Sequence, residues 1–168
     1  MEESDWSSDV CSSDLRQNNA TYCKDIQMNH DQIFQFASLP MAFGWVLLCA
    51  ALLGPVRWQS LALTVGGRVM PLLLCVGYVI VLASSRGAPG GFSSLSDVGV
   101  LFSSKGPLLA GWIHFLAFDL LIGRWQVDRV LAIGRPMLLR VLTLFCLFAT
   151  LMFGPLGLLL FLVVFKLT

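Results

Sequence analysis

Long apolar stretches separated by short polar segments dominate the chain after its first thirty or so residues. A helix needs about 20 mainly apolar residues to cross the hydrocarbon core of a bilayer. The pattern predicts four such helices, at residues 33–53, 63–84, 108–125 and 137–165. The fourth contains the run GPLG at residues 154–157, which predicts a kink or a helix in two parts. The predicted fold is an all-α, polytopic membrane protein, a small bundle of about four transmembrane helices.

The segment between the second and third predicted helices, residues 85–107, carries two kinds of pattern. It opens with SSRGAPGG, which is typical of a loop. Phe92, Leu95, Val98 and Phe102 then recur at spacings of three and four, as in a helix lying along a membrane surface. Two interpretations stay open, a surface helix and a Gly/Ser-rich loop with scattered apolar residues.

Composition supports the membrane interpretation. Of 168 residues, 57% are hydrophobic and 12% are charged, and the mean hydropathy is +0.78. Soluble domains carry about 25% charged residues. A chain of this length has too much surface to hide so many apolar side chains from water, so the excess must face lipid. The net charge of +1 provides no broad basic field for nucleic acid.

Basic residues are unevenly distributed among the predicted loops, which predicts an orientation. The positive-inside rule places the first and third loops in the cytoplasm and both termini outside it, in a bacterial inner membrane. The first and third loops hold Arg57, Arg68, Arg124, Arg129, Arg135 and Arg140, whereas the second loop and the C-terminus hold Arg86, Lys105 and Lys166.

The first residues are polar and lack helical periodicity. Residues 5–15 read DWSSDVCSSDL, which is similar to one reading frame of a common sequencing adapter. Artefactual segments are set aside before fold reasoning. We therefore interpret residues 1–27 as a non-native or disordered leader. We expect the natural protein to begin near Met28 and the membrane domain to comprise residues 28–168.

Cysteine and histidine spacing predicts neither a metal centre nor a cofactor site. Cys49, Cys75 and Cys146 lie within apolar runs, where cysteine behaves as a small hydrophobe. The sequence contains no CxxC pair and no Cys/His cluster. It also lacks a phosphate-binding loop and a dinucleotide-binding motif.

The third predicted helix carries the most polar groups, and His114 and Asp119 lie well inside it. Ionisable side chains are costly in a membrane and usually face a bundle interior or a watery cavity. The two residues are five positions apart, roughly 140° around a helix, so a direct pair is not expected, although both could reach one cavity. An imidazole and a carboxylate suit general acid–base chemistry. The alternative is structural: Asp119 pairs with an arginine, and His114 with a carbonyl.

Four further residues are candidates for contact with a substrate, each with a structural alternative. Arg124 could bind a substrate, or it could pair with Asp128 at i+4 or extend to headgroups. Trp112 could form a ligand wall or an interfacial anchor. Ser103 and Ser104 directly precede the third helix, where serine caps exposed amides.

At LFSSKGPLLAGWIHFLAFDLLIGRW and again at GPLG, the sequence resembles the abscisic-acid-deficient-four (neoxanthin synthase-like) family. Plant members of that family are chloroplast proteins needed for neoxanthin synthesis, and we expect no plant-type transit peptide in this protein. The resemblance covers most of the chain after Met28 and is strongest between Leu101 and Gly157. The matching positions are Phe102, Ser103, Ser104, Trp112, Ile113, His114, Asp119, Leu120, Arg124, Pro155 and Gly157.

The resemblance implies a four-helix membrane protein that isomerises an epoxy-carotenoid to an allenic carotenoid without a cofactor. It makes His114 the candidate base and Asp119 or Arg124 the candidate partner on the epoxide side. We therefore expect a protein that binds a carotenoid or related isoprenoid lipid and isomerises it. Two alternatives stay open: a non-catalytic membrane scaffold that stabilises a partner enzyme, and a small transporter or proton-conducting protein that uses His114 and Asp119.

Overall fold

The computed structural model describes residues 18–134 and 137–166, with side chains from residue 32 onward. Two compact units are distinguished, residues 1–36 and 37–168, and the bundle described below belongs to the second. All regular structure in the described ranges is helical, which confirms the all-α prediction. The helices are α1 (Asn18–Leu53), α2 (Val56–Thr64), α3 (Met70–Ser84), α4 (Leu95–Ser103), α5 (Lys105–Ala132), α6 (Met137–Phe153) and α7 (Pro155–Lys166).

Helix α1 begins well before the predicted first span. It starts at Asn18 and runs without a break through Met28, where we expected the membrane domain to begin. The division into a leader, residues 1–27, and a membrane domain, residues 28–168, stays a prediction. Residues 1–17, which include the adapter-like segment 5–15, lie outside the described part of the chain.

Within the described residues, three stretches of helix are long and apolar enough to cross a membrane: Gln32–Leu53, Val56–Ser84 and Lys105–Ala132. The first coincides with a predicted span, and the other two extend beyond the predicted ends.

Side-chain contacts show that α1 runs parallel to α5, whereas α3 runs antiparallel to it. The contacts that define these directions are Gly44 with Leu120 and Leu48 with Gly123 for α1, and Leu63 with Arg124 and Tyr78 with His114 for the α2–α3 segment.

A π-helical turn, Val65–Val69, joins α2 to α3 within the second span. Its two glycines allow close approach of neighbouring helices. A Cβ atom at Gly66 would lie 2.7 Å from the Cβ atom of Leu47, and one at Gly67 would lie 2.6 Å from Cδ of Arg124. The turn is therefore packed between α1 and the side chain of Arg124, in a type of irregularity that is often found near functional sites.

Part of residues 85–107 is a short helix, α4, so that segment is not a loop throughout, and its position at a membrane surface stays a prediction. Ser94 caps it by accepting a hydrogen bond of 3.1 Å from the amide of Asp97. Phe92 and Leu95 are 82% and 89% exposed at its start. Such exposed apolar side chains are what a helix at a membrane surface would present to lipid.

The fourth predicted span, residues 137–165, is a pair of shorter helices that meet at Gly154. Gly154 has a φ of +49°, in the left-handed region that favours glycine, and Pro155 begins α7. Helix α6 has 17 residues and α7 has 12, so they measure about 25 Å and about 18 Å. Each is shorter than the roughly 30 Å hydrocarbon core. The predicted interruption is present, and it divides the segment in two.

The junction at Gly154 reverses the chain. Helix α6 runs antiparallel to α5, and α7 then returns parallel to α5. In a bilayer crossed by α5, the tip of this hairpin lies at the depth of the middle of α5 and does not reach the opposite surface. The contacts that define the reversal are Gln126 with Thr150, Asp119 with Gly154, Trp125 with Phe161, and Thr150 with Gly157.

The hairpin changes the topology that we expected for the C-terminal end. Arg140 at the start of α6 donates a 3.4 Å hydrogen bond to the carbonyl oxygen of Leu52 at the end of α1. Because α7 returns toward that same end of the bundle, Lys166 lies on the side of the first and third loops. The expectation that the C-terminus faces the other side came from counting residues 137–165 as one crossing.

We expect cysteine accessibility to reveal this topology. In a variant whose native cysteines are replaced by serine, Arg57→Cys and Lys166→Cys should react with a membrane-impermeant thiol reagent from the same side. Arg86→Cys, in the second loop, should react from the opposite side. Labelling in intact spheroplasts and in inverted vesicles measures the two sides separately. If Lys166→Cys reacted from the same side of the membrane as Arg86→Cys, that result would contradict the reversal at Gly154.

Candidate functional site

Helix α5 presents its polar side chains to different surroundings. His114 is exposed on the surface of the bundle, whereas Asp119 is buried with 4% of its surface exposed. The angular offset expected from their spacing is thus kept, and no neighbouring helix brings the two together. The structure separates the candidate residues into two sites.

The first site is a cavity of about 390 Å³ beside His114, formed by the end of α3, the following loop, α4 and the first half of α5. Its walls are mostly apolar. The polar side chains among its lining are those of Tyr78, Ser85 and His114, while the other lining residues are Leu82, Gly87, Ala88, Phe92, Leu101, Phe102, Pro107, Ala110 and Gly111. A concave apolar pocket with a few convergent polar groups is the usual form of a small-molecule site.

Aromatic contacts hold the His114 imidazole in place. The centroid of its ring lies 4.5 Å from that of Phe118, on the next turn of α5, and 5.6 Å from that of Tyr78 on α3. The α3–α5 packing therefore places a phenol and an imidazole side by side at one wall of the cavity. Sequence reasoning missed Tyr78, although its position as a polar aromatic residue within the apolar run MPLLLCVGYVIVLA was an available signal.

The three predicted substrate contacts lie outside the lining of this cavity. Ser103 donates a 2.6 Å hydrogen bond to the carbonyl oxygen of Val100 within α4. Ser104 occupies the N-cap position of α5, as expected, but its side chain makes no capping hydrogen bond. Trp112 is 42% exposed and its ring lies 6.0 Å from that of Phe115. Contact of these three residues with a substrate stays a prediction.

Asp119 faces the tip of the α6–α7 hairpin. A Cβ atom at Gly154 would lie 3.2 Å from Oδ1 of Asp119 and 3.2 Å from Cε2 of Phe115. The other carboxylate oxygen, Oδ2, is buried and has no hydrogen-bond partner within the described residues. Among the described residues, Asp119 forms no ion pair with an arginine, so the structural alternative is not found there. The ion pair that an arginine does form in those residues joins Arg124 to Asp128.

Arg124 belongs to neither of these sites. Its Nε atom donates a 2.9 Å hydrogen bond to Oδ2 of Asp128, which is the predicted i+4 pair, and its Nη1 atom donates a 2.8 Å hydrogen bond to the carbonyl oxygen of Leu63. It lies ten residues along α5 from His114, about 15 Å along the helix axis. The structure therefore does not bring Arg124 to the cavity beside His114.

A metal site is not found within the described residues, because no group of three or more His, Cys, Asp or Glu side chains there is arranged to hold an ion.

Comparison with known proteins gives one match. The family model described as ABA DEFICIENT 4-like, or ABA4-like, matches residues 32–161. That range includes the three membrane-crossing stretches, the cavity beside His114 and most of the α6–α7 hairpin. No curated protein and no solved structure matches the chain.

Proposed function

This chain is a membrane protein that belongs to the ABA4-like family, as its resemblance predicted, and we propose that it binds and isomerises a carotenoid or related isoprenoid lipid in the cavity beside His114. The observation that carries the proposal is the cavity itself: an apolar recess among membrane helices with an imidazole and a phenol at one wall. We place the protein in the bacterial inner membrane, with its first and third loops in the cytoplasm.

The size of the cavity suits one end of a long isoprenoid. Ligand pockets range from about 300 to 1,000 Å³, and this one, at about 390 Å³, is near the small limit. It accommodates a ring end group, while the remaining polyene would lie along apolar surface in the bilayer. Phe92 and Leu95, both exposed beside the cavity, supply such surface.

The reaction implied by the family requires a base and an acid and no redox step. His114 accepts a proton from the polyene carbon next to the epoxide. The electrons of that C–H bond form the new double bond of the allene, the epoxide C–O bond breaks, and the resulting alkoxide takes the proton of the Tyr78 hydroxyl. Proton transfer from the imidazolium to the adjacent tyrosinate restores both side chains. Tyr78 thereby takes the role first assigned to Asp119 or Arg124, which lie outside this cavity.

Pigment analysis tests this function directly. The full chain is expressed in a carotenoid-producing bacterial host that makes an epoxy-carotenoid, and pigments are separated by chromatography and identified by mass spectrometry. We expect a new species of the same mass as the epoxide and a different retention time. An unchanged profile, with the protein present in the membrane fraction, would contradict the isomerase proposal and favour a scaffold that acts through a partner.

Filling the cavity should weaken pigment binding without unfolding the bundle. A Cβ atom at Gly111 would lie 2.6 Å from Cε1 of Phe102, so Gly111→Leu must displace the Phe102 ring, and both residues line the cavity. We expect about 10-fold less pigment to co-purify per mole of protein. Gly99→Leu is the matched control, since a Cβ atom at Gly99 meets nothing within 4 Å and Gly99 does not line the cavity. Equal pigment content in the two variants would contradict binding in this cavity.

The transporter alternative receives no support from the arrangement of its two residues. A proton relay through His114 and Asp119 would need them on one path. They instead face different surroundings, one at the exposed cavity beside α3 and the other at the buried hairpin tip.

A further inference from the structure

A second cavity, of about 400 Å³, lies between α2 and the C-terminal half of α5. Its lining differs in chemistry from the first, since it includes the two basic residues Arg68 and Arg124 and the polar residues Gln59, Ser60 and Thr64. It extends from the start of α2 to the end of α5. The cavity therefore lies at the end of the bundle where the basic loops are.

Contacts within the bundle fix the Arg124 guanidinium in this cavity. Its Nε atom donates a hydrogen bond to Asp128, and its Nη1 atom donates one to the carbonyl oxygen of Leu63. Its aliphatic part lies against Gly67 of the π-helical turn. The remaining nitrogen, Nη2, has no hydrogen-bond partner among the described residues. A guanidinium held in this way loses little further freedom when it binds a ligand.

Within the described residues, one of the two arginines that line this cavity has an ion pair. Asp128 is paired with Arg124, and Arg68 is exposed without an ion pair within the described residues. The described residues thus supply one paired carboxylate for the two arginines of the lining. Arginine binds phosphate oxygens through two parallel hydrogen bonds, and the hydroxyl groups of Ser60 and Thr64 can donate to the same oxygens.

We propose that the cavity lined by Arg68 and Arg124 binds a phosphate group at the membrane surface. Two sources have this chemistry, the headgroup of an anionic phospholipid and a soluble or isoprenoid-linked diphosphate. The site does not depend on the proposed isomerase activity, because none of its residues lines the cavity beside His114.

The experiment uses the full chain in nanodiscs of phosphatidylcholine alone or with added phosphatidylglycerol. Lipids bound to the protein are counted by native mass spectrometry, and the thermal unfolding midpoint is measured in parallel. Inorganic pyrophosphate, added to the phosphatidylcholine discs, is the soluble probe. Retention of phosphatidylglycerol identifies a lipid headgroup, whereas stabilisation by pyrophosphate identifies a diphosphate; either result supports the phosphate site.

Substitutions at Arg68 make the test specific. Arg68→Gln should weaken binding of the phosphate probe about 10-fold, and Arg68→Lys should have an intermediate effect because it keeps the charge and loses the fork of donors. Arg86→Gln, in the second loop, is the matched control and should bind as the wild type does. Equal loss in Arg68→Gln and Arg86→Gln would show general charge attraction and overturn the proposal. Absence of binding by both probes to the wild type would also overturn it.

Discussion

Gly157→Ala should destabilise the folded protein by about 3 kcal/mol, because it places a methyl group where the hairpin leaves no room. A Cβ atom at Gly157 would collide with the backbone nitrogen and the hydroxyl of Thr150, which is fully buried on α6. Backbone cannot move aside as a side chain can, so α7 must separate from α6. The thermal unfolding midpoint of the purified protein in detergent measures the loss.

The matched control for this substitution is Gly77→Ala in α3. A Cβ atom at Gly77 meets nothing within 4 Å, so the change should leave stability equal or raise it by up to about 1 kcal/mol through helix propensity. A Gly157→Ala protein that unfolds at the wild-type temperature would contradict the close packing of the hairpin. It would instead favour one continuous helix over residues 137–165.

His114→Ala should lower the isomerisation rate about 10²- to 10⁴-fold, the usual contribution of general acid–base catalysis. Its imidazole is exposed at the cavity, and its described contacts are with the rings of Tyr78 and Phe118. The bundle should therefore fold without it. Product formed per mole of membrane protein gives the rate, and the thermal unfolding midpoint shows whether folding is retained. Leu108→Ala, on an exposed position of α5 outside the cavity, is the control.

Two further substitutions separate the sites on α5. Tyr78→Phe keeps the ring beside His114 and removes the hydroxyl, so we expect a rate loss with wild-type stability. Asp119→Asn keeps the shape of a side chain that faces the hairpin tip, so the rate should change no more than a few-fold. Loss of turnover in Asp119→Asn with normal turnover in His114→Ala would move the reaction to the hairpin tip.

Much of the fold follows from local sequence. Apolar runs of about 20 residues predict membrane helices because unpaired backbone groups cannot be left in hydrocarbon. The GPLG run predicted an interruption at Gly154 because Pro lacks an amide and Gly tolerates a positive φ. Such patterns cannot predict the direction of the chain after the interruption. That direction depends on the packing of α6 and α7 against α5, through residues far apart in sequence.

For the candidate sites, too, local sequence predicts one part and tertiary structure decides the other. Helical periodicity by itself determined that His114 and Asp119 point in different directions, since their offset is a property of one helix. Only the tertiary structure decided what each faces: Tyr78 and a cavity for His114, the hairpin tip for Asp119, and the π-helical turn for Arg124. The physical reason is that a side chain's position on its own helix is a local property. Its burial and partners are set by the helices that pack against it, and a single apolar sequence fits many such packings.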